Sequence, residues 1–298
     1  MRILHITDTH LSATHPLFLF NWRRMAQAIR DRAPDLVIHT GDAAISDPDR
    51  TEDIAFAKQE MDALGLPYLI VPGNHDVGDN PIEADWLSRQ PKPCTDARRA
   101  AWRAVFGPDY FVHDHGPLTV LGINTQLFGT GLTAEAAQWA LIEETLKGER
   151  PVLIAAHKPL YSQDDGADRA LWSVPQEDSA RLEAMMPGAV AYLSGHLHRQ
   201  KVIERNGVPR VWGASTAFVC SHERFVRRGG RIQVGAVELT IDPLDNQGEA
   251  PAVTASFFTD LGCLNHDIWT WLEPGSPGLG AIMGEPFPVA SPARAAAE

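Results

Sequence analysis

Ile3-Leu4-His5-Ile6-Thr7-Asp8-Thr9-His10 is a short apolar run that stops abruptly on an acid and a histidine two positions apart. The run reads as a β-strand whose end releases its polar residues. The same event recurs four more times along the chain. Residues 36–40 end in Gly41-Asp42, and residues 68–71 break at Pro72-Gly73 before Asn74-His75-Asp76. Residues 152–156 deliver His157, and residues 190–194 deliver Gly195-His196-Leu197-His198. In open α/β sheets the carboxyl ends of the strands share one edge, where crevices form. Five stops that are remote in sequence are therefore expected to converge.

Between the strands lie amphipathic helices, the rhythm of a layered α/β fold. Asn21 is read as the cap of a helix that turns Trp22, Met25, Ala26 and Ile29 to one face and stops before Pro34. Thr51 opens a second helix, with Ile54, Ala57, Met61 and Leu64 at helical spacing and Gly65 closing it. Residues 78–95, rich in Pro and charge, read as a loop insertion. A helix over 96–105, strands near 110–113 and 118–124, and a helix from Thr133 to Gly148 follow. Later the pattern turns to β: Asn206-Gly207 stands between 202–203 and 208–212 as a two-residue hairpin. Residues 231–242 and 253–258 alternate as further strands. The reading is one domain over 1–272, its late β-rich part at about 200–260, and a Pro/Gly/Ala-rich tail over 273–298.

The 298 residues carry 26 basic and 38 acidic side chains, a formal charge of −12. That sign disfavours a nucleic-acid polymer as partner, because such affinity comes largely from Lys and Arg against phosphates. It leaves room for a small phosphate substrate, since bound cations invert the local field. Three dispersed cysteines, Cys94, Cys220 and Cys263, form no CxxC pair and read as reduced thiols. Without a signal core or a membrane-length apolar run, the expectation is a cytoplasmic protein with no membrane partner.

The convergent residues are Asp, Asn and His without thiolate, which suits ions such as Mn, Fe or Zn. Seven ligands are too many for one tetrahedral ion and fit a pair that shares Asp42. Two-metal sites hold their ions about 3.5–4 Å apart and suit in-line displacement at phosphorus. The glycines before Asp42, Asn74 and His196 fit sharp turns and close backbone approach.

In order along the chain, D-x-H (Asp8, His10), GD (Asp42), GNHD (Asn74 to Asp76), His157 and GH-x-H (His196, His198) resemble the signature of the calcineurin-like metallophosphoesterase family. The nearest likeness is to its bacterial class III cyclic-nucleotide phosphodiesterase and glycerophosphodiesterase branch. The resemblance implies a sandwich of two mixed β-sheets flanked by helices. It implies one metal on Asp8, His10, Asp42 and His198, and a second on Asp42, Asn74, His157 and His196. It further implies a metal-bridging hydroxide as nucleophile, His75 as transition-state stabiliser or acid, and Asp76 orienting that imidazole.

Other residues are given humbler readings. His5 and His39 are read as core, His113, His115 and His266 as surface, and Arg199 as a solvated turn residue. Arg224, Arg227, Arg228 and Arg231 are read as a solvated basic face. His15 and His222 are candidates for substrate contact. Tyr161 and Trp172 are candidates for stacking or packing. Trp269 and Trp271 suggest an apolar edge that a homodimer would cover. The leading function is hydrolysis of a small phosphodiester. The alternatives are a phosphomonoesterase or promiscuous mono- and diesterase, and, in a different class, a non-catalytic scaffold.

Overall fold

The computed structural model describes residues 1–45, 48–81, 92–162, 171–221, 228–242 and 251–268. In chain order its elements are β1 (Arg2–Ile6), α1 (Leu19–Arg32), β2 (Leu36–His39), α2 (Thr51–Asp62), β3 (Tyr68–Ile70), α3 (Asn74–Val77), α4 (Asp96–Phe106), β4 (Phe111–His115), β5 (Leu118–Ile123), α5 (Thr133–Leu146), β6 (Val152–Ala156), α6 (Gln176–Met185), β7 (Ala189–Ser194), β8 (Lys201–Arg205), β9 (Val208–Trp212), β10 (Ala236–Ile241) and β11 (Val253–Phe258).

Side chains alternate across a strand, so β1 and β2 each bury two apolar faces. Leu4, Ile6 and Val37 meet Trp22, Met25 and Ile29 of α1, Ile54 and Met61 of α2, and Trp102 of α4. Ile3, Leu36 and Ile38 face the other way and pack on Leu118, Val120, Leu153, Ala191 and Leu193 of a second sheet. That sheet in turn covers its outer face with Trp139 and Ile142 of α5 and Leu182 of α6. Each large apolar side chain buried in these layers contributes roughly 1.5–3 kcal/mol. The result is two sheets face to face, with helices outside both.

The first sheet runs β11-β10-β1-β2-β3 and the second β4-β5-β6-β7-β9-β8. β1, β2 and β3 are parallel, as are β5, β6, β7 and β9. The late β region does not stand apart. β10 pairs antiparallel with β1, and the β8–β9 hairpin closes one edge of the second sheet. Its strand is shorter than the alternation suggests: Arg231 instead exchanges backbone bonds with Gln200.

One reading is corrected at α1. Asn21 does not cap it; the helix starts at Leu19, and Asn21 is buried inside its first turn. Its amide donates to the carbonyls of Ala217 and Leu264 at 2.7 Å each, and its oxygen accepts from Leu264 N. The side chain that suits a cap is used to tie α1 to two distant loops. Most of the 78–95 insertion lies outside the described residues, but its ends are joined where Asp79 N donates to Lys92 O and Cys94 N to Asp79 O. Trp269, Trp271, His222 and the 273–298 tail also lie outside them. Among the described residues no helix is long and apolar enough to cross a membrane.

Candidate metal centre

The ends of β1, β2, β6 and β7 meet where the two sheets share an edge. Their backbone is unusual there. Among the described residues seven non-glycine positions have φ in the left-handed region, and five are Asp8 (53°), His10 (45°), Asp42 (54°), His196 (67°) and His198 (51°). That conformation costs a non-glycine residue on the order of 1 kcal/mol or more, and such strain collects where the surroundings over-determine it. Here the surroundings are bonds between strand ends: Asp8 N to Gly41 O at 2.9 Å and His10 N to Asp42 O at 3.1 Å. Two glycines permit the close approach. A Cβ on Gly73 would lie 2.2 Å from Asp42 Oδ1, and one on Gly195 would lie 1.9 Å from Thr7 Oγ1.

The side chains gather into two donor clusters. Asp8 Oδ1 stands 3.1 Å from His198 Nε2 and 3.8 Å from His10 Nε2, and the two histidine nitrogens are 3.2 Å apart. In the other cluster His157 Nε2 lies 3.1 Å from Asn74 Oδ1 and 3.2 Å from His196 Nδ1. Asp42 stands between them. Its Oδ2 is 3.9 Å from His10 Nε2 and 3.3 Å from His157 Nε2. The seven residues read from sequence as ligands are thus brought together, and Asp8, His10, Asp42 and His157 are almost wholly buried.

Main-chain carbonyls fix which nitrogens face inward. His157 Nδ1 donates to Thr40 O (2.7 Å), His196 Nε2 to Leu171 O (3.0 Å) and His198 Nδ1 to Phe218 O (3.1 Å). In each neutral ring the opposite nitrogen then presents a lone pair to the cluster, the arrangement that orients metal-binding histidines. Lone pairs face carboxylate and amide oxygens, and among the described residues buried Asp8 Oδ1 has no hydrogen-bond donor. Imidazole nitrogens, two carboxylates and an amide oxygen crowded within about 4 Å of one another are matched by a cation between them, so the donor set fits divalent metal. The electrostatics agree. Burial alone would raise both acids, but His198 facing Asp8 and His157 facing Asp42 hold them well below the usual carboxylate range. Burial keeps His10 and His196 well below the usual histidine range. Burial opposes charge on His157 too, yet Asp42 outweighs it and pushes that ring up to about 9.

His75 sits at the mouth, half-buried, its ring edge-on to His10 at 4.9 Å between centroids. Its Nδ1 donates to Ile45 O (2.8 Å) and its backbone N to Asp42 Oδ1 (2.9 Å). The expected contact with Asp76 is absent. The Asp76 carboxylate accepts from the amides of Ala43 (3.2 Å), Ala44 (3.0 Å) and Gly73 (2.8 Å). It therefore shapes the loop around Asp42 rather than the imidazole beside it. Burial and the Asp42 charge raise Asp76 to about 6 against those three donors.

Other readings also change. Arg199 is not solvated; it is buried and donates to the carbonyls of Gly229 and Cys220. Arg228, of the expected solvated face, is buried with its guanidinium 5.3 Å from the Trp172 ring centre, while Arg231 is exposed. Arg224 and Arg227 lie outside the described residues. Trp172 approaches His196 at 6.2 Å, and Tyr161 bonds Glu183 away from the centre. His15 bonds Thr14. His5 and His39 are buried as read, bonded to Thr40 and Thr9. Thr7, whose hydroxyl donates to Asp8 Oδ2 at 2.7 Å, was not singled out; its place directly before the D-x-H was the available signal.

A model of the calcineurin-like phosphoesterase family matches residues 1–200. The chain is 24% identical over 214 residues to a probable glycerophosphodiester phosphodiesterase GpdQ of Arcobacter nitrofigilis, covering 67% of this chain and 72% of that protein. It is 28% identical over 213 residues to the glycerophosphodiester phosphodiesterase GpdQ of Enterobacter lignolyticus, covering 66% and 71%. Among solved structures, purple acid phosphatase PPD1 from yellow lupin seeds shares the fold at a TM-score of 0.54 and 16% identity, over 90% of this chain and 52% of that one. With two thirds of its length matched and the Asp, Asn and His donors gathered at one sheet edge, the chain belongs to the calcineurin-like phosphoesterase family of metal-dependent phosphate-ester hydrolases.

Proposed function

We propose that the chain is a two-metal phosphodiesterase acting on a small diester of the glycerophosphodiester or cyclic-nucleotide type. The observation that carries the metal count is Asp42, whose Oδ2 faces a histidine nitrogen of each cluster. Asp8, His10 and His198 with Asp42 would hold one ion; Asn74, His157 and His196 with Asp42 would hold the other. Mn, Fe or Zn there would supply Lewis-acid activation of the phosphoryl group and of the attacking water. His75 is assigned to the leaving group. Its Nδ1–H is committed to Ile45 O, so its imidazolium form carries the Nε2 proton that a departing alkoxide needs. Asp76 acts on this chemistry through the Asp42 loop.

The preference for a diester is supported by the two GpdQ relatives, which are named for that activity. A small substrate rather than a polymer is supported by the charge of −12. A cytoplasmic location and a homodimer belong to the same reading; the tryptophans that suggest the dimer lie outside the described residues, and light scattering decides it. The test of function is an assay of purified protein with bis- and mono-(p-nitrophenyl) phosphate, a glycerophosphodiester and a cyclic nucleotide under Mn, Fe and Zn. The expected result is metal-dependent turnover that is fastest on diesters. Faster turnover of the monoester would make the protein a phosphomonoesterase, and turnover untouched by chelation would remove the metal reading.

A further inference from the structure

Directly after His157 comes a fully buried lysine, Lys158. Burying an ammonium group is costly unless it is paired and hydrogen-bonded. Its Nζ donates to Asp79 Oδ1 at 2.5 Å and to Asn80 Oδ1 at 2.7 Å, and both partners are themselves almost wholly buried. Asn80 hands its amide protons to the carbonyls of Thr125 (2.7 Å) and Phe128 (3.0 Å). The Lys158 backbone is bonded at both ends: its N donates to Thr125 Oγ1 at 3.1 Å, and its carbonyl accepts from Tyr192 at 2.8 Å. As a source of stability such a pair is a poor choice, because an apolar replacement of similar volume is often neutral or better. What an ion pair provides beyond a hydrophobic contact is fixed direction.

The segments it joins decide what that direction serves. Lys158 is the neighbour of His157. Asp79 follows Gly78, which ends the short helix that begins at Asn74, and Gly78 N donates back to Asn74 O at 3.1 Å. There is no slack at Gly78, where a Cβ would lie 2.4 Å from Pro93 O. Asn74 Oδ1 and His157 Nε2, 3.1 Å apart, are thus carried by two segments that the lysine and the aspartate hold together. Asp8, His10 and His198 are carried by the ends of β1 and β7 instead. We propose that Lys158, Asp79 and Asn80 form a positioning device for one metal position, the one of Asn74 and His157, and leave the other to stand alone. This rests on the two-metal reading.

The test is a Mn²⁺ titration followed by calorimetry and by the electron paramagnetic resonance signal of a coupled Mn pair. It compares wild type, the apolar exchange Lys158→Met/Asp79→Leu, and Asp79→Asn in case the exchange does not fold. Arg99→Met/Asp109→Leu, a buried pair elsewhere in the fold, controls for loss of stability alone. Wild type is expected to take up two ions. In the Lys158 and Asp79 variants the first ion should bind as in wild type and the second about 10- to 100-fold more weakly, the range seen when groups behind metal ligands are removed. The coupled signal should fade and return with excess Mn²⁺, while the control keeps both affinities. Unchanged affinity for both ions in a folded variant, or equal weakening of both, overturns the positioning role. A single ion in wild type fails the two-metal reading itself and is seen in the same titration.

Discussion

Asp42 and Asp109 are equally buried, at 2% exposure each, yet their surroundings are opposite. Asp109 takes Arg99 Nε at 2.8 Å, Arg99 Nη2 at 3.2 Å and the Asn124 amide at 2.9 Å. Its cation is built into the chain, and its backbone is not among the left-handed positions. Asp42 sits on strained backbone and faces two imidazoles, His10 at 3.9 Å and His157 at 3.3 Å, the latter with its Nδ1 bonded to Thr40 O. Because burial of a charge demands a counter-charge, the first acid is matched by a permanent guanidinium, and the second only by imidazoles, which can give up a proton to a metal. The comparison separates a carboxylate paired within the chain from one set among candidate metal donors, without appeal to any motif.

Substitution at each acid should therefore fail differently. Asp42→Asn is expected to lose both metals and more than about 10³-fold in turnover, several kcal/mol of charge stabilisation being lost with the ions. Metal analysis and steady-state kinetics check this, and near-normal turnover would mean the centre is misplaced. His75→Ala should keep both metals and lose about 10²–10⁴-fold in kcat. The loss should be larger on alkyl esters than on p-nitrophenyl esters, whose phenolate leaves unaided. Loss of metal in this variant would make His75 a ligand, and equal loss on both esters would favour charge stabilisation over acid catalysis. Asp109→Asn breaks a buried pair, so denaturant unfolding should show a cost of about 3 kcal/mol. The folded fraction should bind metal as before; a metal defect there would erase the distinction between the two acids.

The smallest effect is on the pH dependence of folding. Burial pushes His5 down to about 3 and His39 down to about 4. The unfolded chain takes up protons first, near 6.5, so the native state is favoured above that value and loses stability as pH falls toward 4 and then 3. Each histidine should cost up to about 1.4 kcal/mol per pH unit in that window. Urea unfolding between pH 7 and 5 measures the slope, and His5→Gln should flatten it by about one proton. An unchanged slope would show that His5 is not buried neutral.

How far the sequence carries this account depends on what kind of atom does the work. Asp, Asn and His directly after apolar strands are legible, because those residue types at strand ends serve few structural purposes. The strands themselves follow from doubly apolar runs. The carbonyls of Thr40, Leu171 and Phe218 that set the imidazole tautomers were invisible, since a main-chain atom leaves no trace in residue type. Asn21 and Arg199 differ from their sequence reading for a related reason. An Asn near a helix start usually caps it and an Arg on a turn is usually solvated, and only tertiary packing shows that these two are buried as ties between loops. Asp76 departs from the role the resemblance implies beside His75, because three amides around Asp42 claim its carboxylate.

The most direct test is anomalous diffraction from crystals grown with Mn²⁺. Two peaks about 3.5–4 Å apart are predicted, one among Asp8, His10 and His198, the other among Asn74, His157 and His196, with Asp42 bonded to both. A single peak, or a pair that Asp42 does not bridge, would contradict the account.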